Sequence, residues 1–375
     1  MTAPAPVRDA FERLRRWLMQ DALPLWWARG ADHAEGGFVD RMELDGVPAR
    51  GFAKRVRVQA RQAYVFGLAD TRGWMPRADY ACQHGLAGLA SMRRVDGLYR
   101  VSTPPAPAPL DGMGLLYDQA FVLLALDTGR AVFADARYER EADDLRDRLE
   151  AFAHPLGGFA EAPGMLSPLF SNPNMHLFES FQAWSEVAAD PRWRELADGL
   201  ARLALGRLIA PGDGVLYEAY ATDWSLPQAR LVWPGHLYEW AYLLLRWRGG
   251  DEAARVASMK LIEIAERAGV DRARGVAIFA LDGDLVAVDR GARLWAQAER
   301  LRAVAHAAAL TDEAALWEAT AQASAAVESF LDTPTPGLWR DWMDEAGAFR
   351  EEPAPASTLY HLVGAIAELE QIVEG

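Results

Sequence analysis

The sequence predicts an all-α protein built as an (α/α)6 barrel: six helical hairpins closed into a ring, with short β-hairpins at one mouth. Two observations predict it. Apolar residues recur at three- and four-residue spacing along almost the whole chain, which is the period of packed helices. Between those stretches a short glycine-led segment returns six times. Gly37, Gly97, Gly158, Gly214, Gly275 and Gly337 mark it, at steps of 60, 61, 56, 61 and 62 residues. A repeat made of a helix, a glycine segment and a second helix stacks on its neighbours to bury its apolar face. A straight solenoid is the structural alternative, but it needs atypical capping repeats, and the chain shows none.

Taken in order, the periodicity predicts helices near 7–20, 53–71, 77–92, 114–129, 137–153, 174–188, 190–209, 235–248, 252–268, 289–308, 311–331 and 357–373. The glycine segments fall between them as GGFVDRMELDG, GLYRVS, GGFAEAP, GVLYEAYATDW, GVAIFALDGD and GLWRDWMDEAG. Several end in Asp-Gly or a similar turn signal, as hairpins do. The run Pro104 to Pro109 reads as a loop. No linker or low-complexity tract divides the chain, so residues 1–375 are expected to form one domain.

Composition excludes several function classes. The chain has 375 residues, a formal charge of −14, two lysines and no basic run, whereas nucleic-acid binding needs a concentrated positive footprint. The single cysteine, Cys82, permits no internal disulfide and no thiol metal site, and is expected to be a small buried hydrophobe. No secretion signal and no run of 18 apolar residues is present, so a cytoplasmic protein without a membrane partner is the simplest expectation. A monomer and a homodimer suit the charge equally. Fourteen tryptophans fit both large helical cores and sugar sites.

The organising stretch is Trp233 to Trp247, WPGHLYEWAYLLLRW. His236 and Glu239 lie three apart, on one face of the first helical turn, and an apolar run follows. The pattern recurs. If each second helix lines the ring, the six N-termini gather at one mouth, where unpaired N–H groups favour oxygen-rich ligands. Their early turns carry Arg57 and Arg61, Tyr117 and Asp118, Asn172 and His176, His236 and Glu239, Trp295 and Glu299, and His361. Arg61, Tyr117, His176, His236, Trp295 and His361 step by 56, 59, 60, 59 and 66 residues, the repeat period again. Capping alone would favour Ser, Thr, Asp and Asn, not His, Arg and Trp. His33, His84, His154 and His306 read as structural. Three histidines on three helices, with no H-x-x-x-H pair, make a poor zinc site, so no metal is expected. Nucleophile-elbow and phosphate-loop motifs are absent.

In order, RVRVQARQAYVF from Arg55, LLYDQAF from Leu115, SNPNMHLFESFQAW from Ser171, WPGHLYEW from Trp233, LWAQAERLRA from Leu294 and STLYHLVGAI from Ser357 span nearly the whole chain. With them the chain resembles the N-acylglucosamine 2-epimerase family, which includes cellobiose 2-epimerases, mannose isomerases and sulfoquinovose isomerases. The resemblance implies the same barrel and cofactor-free chemistry at C2 of a sugar. It implies His236 and His361 as an acid/base pair and His176 as a third histidine. It further implies substrate-contacting or supporting roles for Arg61, Tyr117, Asn172, Glu239, Trp295 and Glu299. Two departures stand out. Asn174 replaces a common histidine and is expected to tune specificity; Ala296 replaces a common proline and leaves the start of that helix open.

The chemistry expected is aldose–ketose isomerisation or 2-epimerisation of a free monosaccharide, with D-mannose favoured and N-acylglucosamine or cellobiose as alternatives. Imidazole suits it because its pKa lies near neutrality. Glu239 is expected to orient His236. Two rivals belong to other classes: a glycoside hydrolase using Glu239 and Glu299 as its carboxylates, and a non-catalytic sugar-binding protein.

Overall fold

The computed structural model describes residues 3–103, 114–165, 167–210, 212–226, 228, 230–247 and 252–375. The Pro104 to Pro109 loop expected above lies outside them. Twelve helices alternate between two concentric layers. The outer layer is α1 (Ala5–Arg16), α3 (Ala78–Ala90), α5 (Arg137–Leu149), α7 (Arg192–Leu203), α9 (Glu252–Ala268) and α11 (Ala314–Leu331). The inner layer is α2 (Val56–Thr71), α4 (Leu116–Phe133), α6 (Ser171–Val187), α8 (Pro234–Trp247), α10 (Leu294–Thr311) and α12 (Leu359–Glu374). Each inner helix packs on the next, and α12 packs back on α2, so the ring closes and the solenoid alternative falls.

Burial follows from sequence patterning. In α5, RYEREADDLRDRL, the stripe Tyr138, Ala142, Leu145 and Leu149 is buried and most of the charged residues face out. In α8 every residue but Arg246 is buried, as expected of a helix enclosed on all sides. Trp184 and Trp193 stack at 5.2 Å across α6 and α7, and Trp26 stacks on Trp339 at the same distance to bind the N-terminal segment to the ring. Cys82 is fully buried and burial pushes its thiol up to about 12, which fits a small apolar filler.

The glycine segments lie before the N-termini of the inner helices and build the mouth. All six marker glycines have positive φ, from 70° at Gly37 to 89° at Gly337, a region costly for side chains with a Cβ. Several segments close through single antiparallel bridges, such as Ala31 with Phe38 and Ile209 with Leu216. Beyond the bridge the chain pairs with a neighbouring repeat: Lys54–Arg55 with Ser102–Thr103, Leu169–Phe170 with Ala219–Tyr220, Ala292–Arg293 with Trp342–Met343, and Arg41–Met42 with Ala354–Pro355. The mouth is therefore stitched between repeats.

Buried backbone in these segments needs partners, and four inner helices supply them from the same position. Gln59 bonds N and O of Phe38, Gln119 those of Tyr99, Asn174 those of Phe159 and Gln297 those of Ala277, all between 2.6 and 3.0 Å. This corrects the expectation for Asn174. It is fully buried, also donates to Phe170 O at 2.9 Å, and holds a loop in place instead of selecting a substrate. The predicted helix from 289 starts instead at Leu294, because residues 287–293 are drawn into strand pairing. Ala296 leaves that start well formed.

Candidate active site

With the first residue of each inner helix counted as one, the inward positions are two, three, six and nine, the spacing that keeps side chains on one face. Positions two and three carry Arg57, Tyr117, Asp118, Asn172, Trp295, His236 and His361. Position six carries Arg61, His176, Glu239 and Glu299, one turn deeper. The polar residues predicted as one ring thus occupy two levels.

They enclose a cavity of about 190 Å³ at the inner-helix N-termini. Arg61, Tyr117, Asn172, His176, His236, Glu239, Trp295 and His361 all line it, together with Arg57. Glu299 does not; it stands behind His361. The indole of Trp295 lies between the two imidazoles, 5.1 Å from His236 and 5.8 Å from His361 by ring centroids.

Each histidine is oriented through Nδ1. His361 Nδ1 lies 2.6 Å from Oε1 of the fully buried Glu299. His236 Nδ1 lies 2.7 Å from Oε2 of Glu218. His176 Nδ1 faces Glu179 at 3.4 Å and Glu239 at 3.7 Å. Fixing Nδ1 leaves Nε2 of His236 and His361 without a protein partner among the described residues, on rings that line the cavity. Glu239 therefore does not orient His236, although the two share a helical face. Its side chain sits a turn deeper and turns toward His176, and the carboxylate that reaches His236 comes from a glycine segment.

Glu218 was missed, and a signal for it exists. An acidic residue follows the marker glycine by three or four positions in four repeats: Asp40, Glu161, Glu218 and Asp341. Asp40 binds Arg55 at 2.7 Å, Asp341 binds Arg293 and accepts a hydrogen bond from Thr358, and Glu218 binds His236. His306, read as incidental, lies on inner helix α10 toward its far end, where its Nδ1 pairs with Glu368 at 2.8 Å. His33, His84 and His154 make only local contacts.

Beneath the cavity Arg302 stands 3.8 Å from Glu299 and 3.9 Å from Glu179, and Tyr360 donates to Glu179. Burial opposes charge throughout this layer. It lowers His361 well below the ordinary histidine value and takes His176 down to about 4, so both imidazoles are neutral. Burial, with Glu299 and Glu179 close by, holds Glu239 well above the carboxylate range, so it is a neutral acid. Burial raises Glu299 to about 7. Arg61 stacks over Phe121 at 4.1 Å and donates to Tyr117 Oη at 2.9 Å. Of the four arginines lining the cavity, only Arg61 has no carboxylate partner among the described residues: Arg55 faces Asp40, Arg57 lies 2.9 Å from Asp118, and Arg293 faces Asp341.

Glu239, Glu299 and His361 offer donor atoms within 4.8 Å of one another. A metal held there would replace the proton shared by His361 and Glu299 and would lie beside the Arg302 guanidinium, a poor neighbour for a cation. Several polar atoms of the cavity are buried and unpaired: both Glu239 oxygens, Asn172 Oδ1, Arg61 Nε and Trp233 Nε1. Such orphans are rare without a function. Together with the Trp295 face, they ask for a small ligand dense in hydroxyl groups.

The profile of the N-acylglucosamine 2-epimerase (GlcNAc 2-epimerase) family matches residues 36–365. The chain belongs to the N-acylglucosamine 2-epimerase family. Within reach of it are a Rhizobium meliloti (strain 1021) protein named mannose-6-phosphate isomerase, 42% identical over 96% of this chain and 97% of the relative, and a Thermobifida fusca D-mannose isomerase, 28% identical over 78% and 77%. Among solved structures, the cellobiose 2-epimerase of Spirochaeta thermophila superposes with a TM-score of 0.86 over 98% of this chain and 97% of its own. At 21% identity, that likeness carries the family's (α/α)6 barrel and no more. The family assignment makes the enzyme a sugar isomerase or epimerase, and the geometry above is that of its cavity.

Proposed function

We propose that this enzyme is a cofactor-independent aldose–ketose isomerase or 2-epimerase of a free monosaccharide, D-mannose first, and that residues 1–375 act as one domain in the cytoplasm. The observation that carries the reading is the pair of imidazoles, His236 and His361, each held through Nδ1 by a carboxylate and flanking one indole face in a monosaccharide-sized cavity. The names of the mannose-acting relatives support the choice of sugar.

The sugar ring opens, with His176 placed to assist. His361, neutral through burial, removes the C2 proton. The C–H electron pair becomes the C1–C2 double bond and the carbonyl pair moves to O1. Arg61 steadies the enediolate oxygen, a preorganised charge in a water-poor site. A proton placed on C1 gives the ketose; one placed on C2 from the His236 side gives the epimer. Tyr117, Asn172 and Glu239 position hydroxyls, and Trp295 packs on the sugar face.

A free sugar is favoured over its phosphate because the guanidiniums at the mouth, Arg55, Arg57 and Arg293, are each paired with an aspartate. A phosphate would have to break one of those pairs. The hydrolase rival is disfavoured by the same geometry. Its carboxylates need a gap of about 5–9.5 Å for a glycosidic bond, whereas Glu239 and Glu299 approach within 4.8 Å, buried against one another. A pure binding protein has no need of two imidazoles oriented for proton transfer. Proton NMR of D-mannose in heavy water tests the reading. Fructose marks an isomerase, C2-deuterated glucose an epimerase, and inert mannose alongside turnover of mannose 6-phosphate, N-acetylmannosamine or cellobiose moves the substrate. Inertness of all four defeats the proposal.

A further inference from the structure

Glu218 stands between two spaces. Its Oε2 holds Nδ1 of His236 at 2.7 Å, and its Oε1 accepts the Trp233 N–H at 3.2 Å. The same residue lines a second compartment of about 580 Å³ that adjoins the catalytic cavity along Arg57, Tyr117, Asn172 and Trp233. Its side chain is 13% exposed. The carboxylate behind His361 is placed quite differently. Glu299 has no exposed surface, lines no cavity described above, and is backed by Arg302 and Glu239. A proton on the His361 side can leave only through the substrate cavity, whereas one on the His236 side has a carboxylate that also meets an open compartment.

We infer that Glu218 is the port through which His236 exchanges protons with water, and that His361 keeps the proton it takes. The port itself is a property of the apo protein; its consequence for products rests on the isomerase reading above. His361 receives the C2 proton on Nε2. Returning that same proton to C1, with the O2–H proton lost and the carbonyl re-formed at C2, gives a ketose carrying substrate hydrogen. Delivery from His236 Nε2 to C2, with the carbonyl re-formed at C1, gives an epimer carrying solvent hydrogen. Glu218 then passes a proton from water to Nδ1. Glu218 is a positioning and proton-relay residue, since it touches His236 and not the reacting carbons.

Water-saturation NMR on protein labelled with nitrogen-15 histidine tests the port without substrate, with the two ring signals assigned from His236→Asn and His361→Asn. The His236 Nδ1 proton is expected to exchange roughly tenfold faster or more than the His361 one, because exchange follows access to water. Glu218→Gln keeps the shape but carries no proton and should slow the His236 proton toward the His361 rate; Glu218→Asp should restore it. Equal rates in the parent protein, or an unchanged rate in Glu218→Gln, overturn the port. With D-mannose in heavy water, fructose should retain hydrogen at C1 while glucose gains deuterium at C2; complete deuteration of fructose C1 overturns the retention at His361. Asymmetric exchange with no sugar turnover upholds the port and defeats the isomerase reading, whereas turnover with equal exchange does the reverse.

Discussion

Oε1 of Glu299 lies 2.6 Å from Nδ1 of His361, and the carboxylate has no solvent-exposed surface. Buried beside Arg302, it sets the tautomer of the imidazole whose other nitrogen is left for the cavity. Oriented imidazole–carboxylate pairs lose activity when the carboxylate goes. We expect Glu299→Gln to lower kcat by about 10²-fold with little change in KM. Steady-state kinetics beside a thermal melt would check it.

Glu239 should behave differently. Burial and its acidic neighbours hold it as a neutral acid, and glutamine matches that state in shape and charge. Glu239→Gln is expected to cost less than about tenfold in kcat, since no general acid/base step is removed. A hydrolase relying on Glu239 and Glu299 would lose nearly all activity with either change, so the contrast between the two variants also separates the reaction classes.

The two histidines should fail in distinguishable ways. His361→Asn is expected to depress every product by about 10²–10⁴-fold, because it removes the first proton transfer. His236→Asn should suppress the C2 epimer more strongly than the ketose. Product ratios by proton NMR, with circular dichroism to confirm folding, decide it.

Asn174 is a stability residue with no contact to the cavity lining. Asn174→Ala removes three hydrogen bonds at once and strands buried backbone of Phe159 and Phe170. A loss of about 2–4 kcal/mol is expected, read from chemical denaturation, with KM for the sugar near that of the parent protein.

Stability should fall on both sides of neutrality, for separate reasons. Glu161, raised by burial to about 8 from an ordinary 4.5, binds its proton more tightly in the folded state. Its contribution is complete below about pH 4.5 and is lost as pH rises to about 8. His176 sits near 4 against an ordinary 6.5, so the unfolded chain takes the proton first and stability is lost as pH falls between those values. Glu161→Gln is expected to remove the alkaline loss and leave the acid limb intact. Urea titrations across pH read both limbs.

The amino-acid sequence by itself determined the helices, the sixfold repeat, the inward-facing residues and the family motifs, because these rest on local periodicity and on side-chain chemistry. Arg61, Tyr117, Asn172, His176, His236, Glu239, Trp295 and His361 all reach one cavity for that reason. Only the tertiary structure decided how they are partnered. His236 and Glu239 share a face three residues apart, yet the imidazole turns to Glu218, 18 residues earlier, and Glu239 turns to His176 on another helix. Depth decided the rest. A common period of about 60 residues hides the one-turn offset that puts Glu299 behind His361. Strand pairing between repeats and the Asn174 clamp likewise depend on which backbone groups the closed ring buries, and long-range burial leaves no periodic trace in a sequence.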